Sequence, residues 1–447
     1  MKPTLVLLFG ATFAMGMGMS RPAAAQEAVI AAAIGEDSFD ASAVANLQGH
    51  GYELSHGLIM HGALGLEGGA SDNVFYTTST EGRTASGMMR VAGSMHFATD
   101  RTPDDGADPD NTGGPSPRTY EFHGGFRAGY EEYLTGNDTV RSQRNLNLDA
   151  LGEMTVFPAG SVAFLVKELF ARDVRSANYE NTQTISRDDN RLYLGLRLQP
   201  QGQTLSATLH YENWVELFED PNESTFANRM NHTVGIEAAW QVFPVTKLLA
   251  DFSYGFFGPL GTSTLNGMPY KTASQPLRAT IGISTLLSAL TTLKAHAGYT
   301  QASYGIGEGY AAPLGGVELG YRWAPTGRIL ATYDYDHFDS FNANFIADHL
   351  FALKAVQQFG TFVLDAGPEL RLRHFGGIPK QIGAPDRDDV VVAVQARLQV
   401  LLAERFALYA VYRFATVQTN YRSTGSGGGD DPSFVRNDAM VGVRVTY

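Results

Sequence analysis

From about Leu58 to the last residue the chain repeats one unit, about ten residues of alternating apolar and polar character closed by turn residues. In Arg191-Leu192-Tyr193-Leu194-Gly195-Leu196-Arg197-Leu198 one face is all leucine and the other is Arg, Tyr, Gly, Arg. Gly316–Trp323 and Val390–Val400 read the same way. A period of two is a β-strand, because successive side chains leave a strand on opposite faces. In a soluble sandwich the polar face would be rich in Lys and Glu. Here the apolar face carries large aliphatics and aromatics, and the other carries Gly, Ala, Ser, Thr and isolated charges. That is the lipid-out, lumen-in pattern of a membrane barrel.

The connections sharpen this. Short ones (Phe157–Gly160, Pro200–Gly202, Phe243–Thr246, Ala324–Gly327, Gln358–Gly360, Ala403-Glu404) alternate with long polar ones. The long ones are Gly69–Arg83, Thr135–Arg144, Arg172–Asp189, Glu219–Asn231, Gly258–Gln275, Phe375–Asp388 and Ser423–Pro432. The pattern predicts an all-β fold: a transmembrane up-and-down antiparallel β-barrel of roughly eighteen strands, with short periplasmic turns and long extracellular loops. An even count puts both barrel ends on the periplasmic side. Aromatics fall at strand ends as interfacial girdles, with Phe157, Phe243, Trp323 and Phe359 beside short turns and Tyr130, Tyr254, Phe256, Tyr299 and Tyr335 near long loops. Asp100–Arg118 is long and acidic where a short turn is expected, and its spacing does not make a calcium loop. Val162–Asp173 puts Lys167 and Glu168 on opposite faces, so its phase stays open.

Composition agrees with a membrane barrel. The 447 residues include 49 Gly, 20 Tyr and 26 Phe, with only 18 % charged residues and no cysteine, which removes disulfides, thiol catalysis and Cys-type zinc sites. The formal charge of −13 argues against nucleic acid as a partner. At the N-terminus, Lys2 precedes an apolar run from Leu5 to Met17, and Ala23-Ala24-Ala25 offers a small-residue cleavage site, the plan of a signal peptide. The expected organisation is a signal peptide over residues 1–25, a periplasmic extension over 26–54 with a short helix near Ala28–Ala33, and the barrel over 55–447. The ending Val441-Gly442-Val443-Arg444-Val445-Thr446-Tyr447 resembles the C-terminal signal read by the barrel-insertion machinery.

About eighteen strands enclose water, so the inner face is where selectivity would be set. Alternation places Arg90, Arg127, Arg371, Arg373, Arg397, Arg413 and Arg444 on one basic arc, which closes when the first and last strands meet. Glu212, Glu216, Glu237, Asp251, Asp334, Asp336 and Asp348 form an acidic arc. Opposed arcs would produce a transverse field across the pore. Against it, neighbouring charges can pair within the wall, as Arg371 with Glu369, and Glu121, Asp149 and Glu153 interrupt the basic arc. Tyr133, Tyr193, Trp214 and Tyr409 are the inward rings, suited to stacking on sugar faces or to local packing. No catalytic constellation assembles: Asp336-His337 and Asp348-His349 are strand neighbours and point apart. Gly305–Gly309 lacks the strand-to-helix setting of a phosphate loop. The expectation is a non-enzymatic barrel without cofactor or metal.

At Gly69-Ala70-Ser71-Asp72-Asn73-Val74-Phe75, followed by a second strand over Ser86–Phe97, the chain resembles the beta-barrel porin 2 family. Some barrels of that kind resemble outer-membrane components of exopolysaccharide export. The resemblance implies a Gram-negative outer-membrane channel for a sugar polymer, working with a periplasmic polysaccharide-export component. The residues themselves leave two other readings open: a diffusion porin for small hydrophilic or charged solutes, and a non-conducting structural or adhesive barrel.

Overall fold

The computed structural model describes residues 52–447 except 56–57, 79–81, 100–118, 174–185, 201–203, 220–227, 262–263, 266–267, 270–272, 341–342, 378–386, 404 and 422–431. The expected signal peptide, the helix near Ala28–Ala33 and the Asp100–Arg118 insert therefore lie outside the described residues. The first half comprises β1 (Tyr52–Ser55), β2 (Leu58–Ser71), β3 (Ser86–Thr99), β4 (Tyr120–Leu134), the one-turn helix α1 (Asp138–Arg141), β5 (Asn145–Val156), β6 (Val162–Asp173), β7 (Arg187–Leu198), β8 (Leu205–Phe218), β9 (Arg229–Phe243) and β10 (Thr246–Pro259). A two-residue hairpin, β11 (Thr264–Leu265) and β12 (Met268–Pro269), interrupts the series. The second half comprises β13 (Leu277–Ser288), β14 (Thr291–Ala302), β15 (Tyr310–Ala324), β16 (Gly327–Asp339), β17 (Phe345–Phe359), β18 (Phe362–Gly376), β19 (Arg387–Ala403), β20 (Phe406–Thr419) and β21 (Phe434–Thr446).

Each barrel strand pairs antiparallel with the next, and β2 closes on β21 from Ala63↔Thr446 to Ser71↔Asp438. The result is one closed antiparallel barrel of eighteen strands. Closure is what makes the fold viable in hydrocarbon, where an edge strand would leave a row of unsatisfied backbone groups. At the short-turn rim β21 runs out opposite Gly62, where Tyr447 N–H donates to the Gly62 carbonyl at 2.8 Å and Gly62 N–H returns the bond at 3.0 Å. Below that point β1 takes over as partner, with Tyr52↔Met60 and Ser55↔Leu58. The start of β2 thus keeps a hydrogen-bonded neighbour on both sides.

The two faces separate as the alternation requires. Leu64, Leu66, Leu209, Ile281 and Val441 are exposed on the outside, whereas Glu67, Arg90, Thr280 and Arg444 are buried on the inside. Phe157, Phe243, Trp323 and Phe359 are exposed beside the short turns. The phase of β6 is now fixed by register: Leu165, Lys167 and Leu169 face inward, and Glu168 faces outward, accepting a 2.5 Å hydrogen bond from Asn190 Nδ2 on β7. Seen from the chain, β6 is apolar on both faces, so period alone cannot choose between them.

Among the described residues there is no single core. Four small apolar clusters stand on the inner face toward the long-loop rim. Two are roofed by the segment after β2: Val74 packs with Met88, Tyr133, Val140 and Met440, and Tyr76 packs on Val391, Ala415, Val417 and Phe434.

The seam yields a paired expectation. A Cβ at Gly69 would meet the Ala439 carbonyl oxygen and the Met440 backbone, whereas one at Gly62 would meet nothing. Gly69→Val should abolish the compact, heat-sensitive band that folded barrels give on electrophoresis, and Gly62→Val should leave it unchanged.

Candidate functional site: the charged lumen

The motif Asp72-Asn73-Val74-Phe75 does not continue β2. It folds into the mouth of the barrel. Asp72 accepts from Asn437 N and Asn437 Nδ2, both at 2.7 Å, which ties it to β21. Asn73 is fully buried: its Nδ2 donates to the carbonyls of Thr77 (2.8 Å) and Val435 (3.0 Å), and its Oδ1 accepts from Thr77 N (3.0 Å). Only an amide satisfies carbonyls and an N–H at once, so Asn is the residue this turn needs. Tyr76 is held at φ 54°, a left-handed conformation a tyrosine rarely adopts, by its edge contact with Phe434 (4.9 Å) and the Arg436 guanidinium at 4.4 Å.

A second inward element is the tip of the β16–β17 hairpin. β15 pairs with β16 only up to Gly315↔Tyr335, whereas β16 and β17 stay paired to Asp339↔Phe345. The tip therefore parts from β15, while β17 stays paired with β18 up to Phe345↔Gly376. Asn344 Nδ2 bonds it to the carbonyls of Ile306 (3.0 Å) and Glu308 (2.8 Å) in the glycine-rich loop before β15. Asp339 Oδ2 meets Arg229 Nη1 of β9 at 2.8 Å. Four strands stand between β9 and β16 along the wall, about 24 Å of sheet, so this ion pair crosses the mouth.

The seven basic, seven acidic and four aromatic residues singled out above all occupy inner-face positions. They do not form two opposed arcs. Arg90 Nη2 binds Glu131 Oε2 at 2.6 Å and its Nη1 lies 3.6 Å from Glu67, and Arg127 Nε donates to Asp149 at 2.8 Å. Arg371 binds Asp348 (2.5 Å) and Glu369, Arg373 lies 3.5 Å from the same Asp348, and Arg397 is 3.6 Å from Asp365. Arg413 is in register with Asp438, and Arg444 is buried beside Gly65 and Ala407. On the acidic side Glu216 sits between Arg187 (2.8 Å) and Arg229, Asp336 accepts from Arg278 at 2.6 Å, Asp334 is 3.3 Å from His296 and Glu237 is 3.7 Å from His210. Glu212 lies in register with Tyr193 and Thr233, and Asp251 with Glu237 and Thr280. The transverse field is thus corrected to local neutralisation. Strands 4.8 Å apart bring opposite charges into contact before they can act across a lumen.

The rings are likewise engaged. Tyr133 donates to Glu131 and Tyr409 to Glu67, both at 2.7 Å. Trp214 Nε1 donates to Asp189 at 2.7 Å, with the Arg229 and Arg191 guanidiniums 5.0 and 5.9 Å from its ring. Tyr193 stacks on His210 at 5.4 Å. The sequence reading missed Glu67, Arg187, Arg229, Arg278 and Asp339. Alternation places Glu67 inward, but only register reveals what each one meets.

Apolar side chains outside, paired charges inside and a wall closed by β2 on β21 satisfy the rules for a chain that crosses lipid with strands. The chain has the build of a transmembrane β-barrel. No protein-family model and no curated protein matches it in sequence. Among solved structures it is similar to the outer membrane protein OpdK of Pseudomonas aeruginosa (9 % identity, 87 % of this chain and 99 % of that one, TM-score 0.45). It is also similar to OccK11 (OpdR) of the same organism (13 %, 87 % and 96 %, 0.42) and to its siderophore receptor PirA (7 %, 87 % and 80 %, 0.39). The likeness is one of barrel architecture, and nothing about solute or role passes to this chain from it.

Burial sets the worth of these pairs. Removing the fully buried Glu216 carboxylate, as Glu216→Gln, takes away the charge that Arg187 and Arg229 share and should cost about 3–5 kcal/mol in urea unfolding from detergent or lipid. Glu318→Gln removes a pair with side chains 41 % and 32 % exposed and should cost about 1 kcal/mol or less.

Proposed function

We propose that this barrel is a diffusion channel for small hydrophilic and charged solutes, passing them passively and without a reaction. The observation that carries the reading is how charge is presented to lumen water. In mid-barrel the accessible charges come as opposite neighbours, Lys167–Glu153 (2.6 Å), Lys294–Glu318 (2.9 Å) and Lys354–Asp365 (3.9 Å), whereas at the short-turn rim Arg322 and Arg328 are like-charged register partners, both exposed. A wall of matched pairs has little long-range field, so it discriminates weakly between cations and anions while wetting the path for both. The inward folding of residues 72–78 and of the β16–β17 tip narrows the mouth, which favours small solutes.

The export of a sugar polymer, which the likeness of Asp72-Asn73-Val74-Phe75 to the beta-barrel porin 2 family implies, draws less support. Tyr133, Trp214 and Tyr409 are at most 6 % exposed, so their faces are not free to serve as a stacking rail. Their hydroxyl and indole donors are spent on wall carboxylates.

Planar-bilayer recording tests the proposal. The expected result is ohmic conductance with near-equal cation and anion permeability that long oligosaccharides leave unblocked. Absence of conductance overturns it, and block by oligosaccharide would restore the polymer reading. Neutralising Lys167, Lys294 and Lys354 together to Gln leaves Glu153 and Glu318 without their lysine partners and Asp365 with Arg397 alone, and should shift the reversal potential toward cation selectivity.

A further inference from the structure

One stretch of the inner wall departs from the rest. On β5 and β6 three leucines, Leu151, Leu165 and Leu169, face the lumen. Leu151 and Leu169 are register partners, and Leu151 is 37 % exposed. Glycines flank the group: Gly125 is the register partner of Leu151 on β4, and Gly195 that of Leu165 on β7. The leucines thus form the floor of a shallow trough, bounded by His96, which lies over Gly125, and by Tyr193 and Thr208, which lie over Gly195.

Between the leucine rows runs the row His123–Glu153–Lys167–Tyr193. Its centre is the Glu153–Lys167 ion pair at 2.6 Å, with side chains 38 % and 44 % exposed. The Lys294–Glu318 pair has similar length and exposure, but the inner-face residues next to it along β14 and β15 are Thr292, His296, Gly316 and Gly320, none of them aliphatic.

We propose that this trough is a binding station for apolar zwitterions, meaning α-amino acids and dipeptides with aliphatic or aromatic side chains. The ligand carboxylate pairs with Lys167, its ammonium with Glu153, and its side chain lies on Leu151, Leu165 and Leu169. A zwitterion replaces one ion pair by two. A lone anion or cation must instead displace one partner and face the other, like-charged one. Fully hydrophilic solutes gain nothing from the leucines, and the side chain of leucine or phenylalanine gains the burial that Leu151 lacks. The inference rests on the reading of the lumen as an open aqueous path.

The chain has no cysteine, so Leu151→Cys introduces the sole thiol. A membrane-impermeant maleimide should modify it, and millimolar leucine or phenylalanine should slow that modification several-fold while glycine leaves it unchanged. Adding Lys167→Gln should abolish the protection. Lack of modification would mean the trough is covered by other parts of the chain, and modification indifferent to leucine would mean it binds no such ligand; either overturns the station. With the unaltered chain in proteoliposomes, leucine influx should saturate while glycine influx stays linear, and linear influx of both overturns it as well. Failure of these tests beside intact potassium chloride conductance defeats the station alone. Loss of conductance and of all flux defeats the channel reading too.

Discussion

Hydrocarbon offers a backbone N–H or C=O no partner, and everything else in this barrel follows from that. The sheet must close, so β2 must find β21 at the far end of the chain, where Ser71 pairs with Asp438 and Ala63 with Thr446. Antiparallel closure then fixes which side chain meets lipid and which meets water at every strand position. Even the overhang of β2 beyond Tyr447 is covered, because β1 turns back to pair with it. Once the backbone is spent on its own pairing, side chains are left to satisfy two solvents, one per face.

The inner face shows what the second solvent demands. Arginine, glutamate and aspartate there are not a diffuse lining. They are bonded across adjacent strands, and near the long-loop rim they are covered by chain that folds back into the mouth. Buried pairs of this kind add little net stability over apolar residues, but breaking one leaves a charge stranded. Their effect is to lock register and hold the inward segments: Arg229 joins Glu216 on the wall to Asp339 on the β16–β17 tip, and Arg436 holds Tyr76. Lower in the lumen the lysine pairs are accessible, where water weakens them and solutes can compete.

Much of this was legible in the chain itself. Alternation, turn spacing and the C-terminal strand predict a barrel of roughly eighteen strands, and β2 to β21 realise it with the first barrel strand beginning at Leu58. The inward residues were legible for the same reason, since Arg371, Trp214 and Tyr409 lie in strands of clear period. What period cannot supply is register. Glu369, visible two residues from Arg371, is a local partner. Asp348 one strand away, Arg229 beside Glu216 and Asp339 across the mouth are not. β6 was ambiguous because Leu165 and Leu169 make its inner face as apolar as its outer one. The fate of Asp72-Asn73-Val74-Phe75 was hidden as well, because an Asn that caps a buried turn reads in sequence like any loop residue.

The account stands on lipid outside and water inside along every strand, and a single-cysteine scan of β7 measures that directly. The native chain offers no competing thiol. Each of residues 192–197 is replaced in turn in the membrane-inserted protein and challenged with a water-soluble, impermeant thiol reagent and with a lipid-soluble one. The water-soluble reagent should modify positions 193, 195 and 197 and spare 192, 194 and 196, with the lipid-soluble reagent reaching the second set. Modification by the water-soluble reagent at all six positions, or at neither set in alternation, would contradict it.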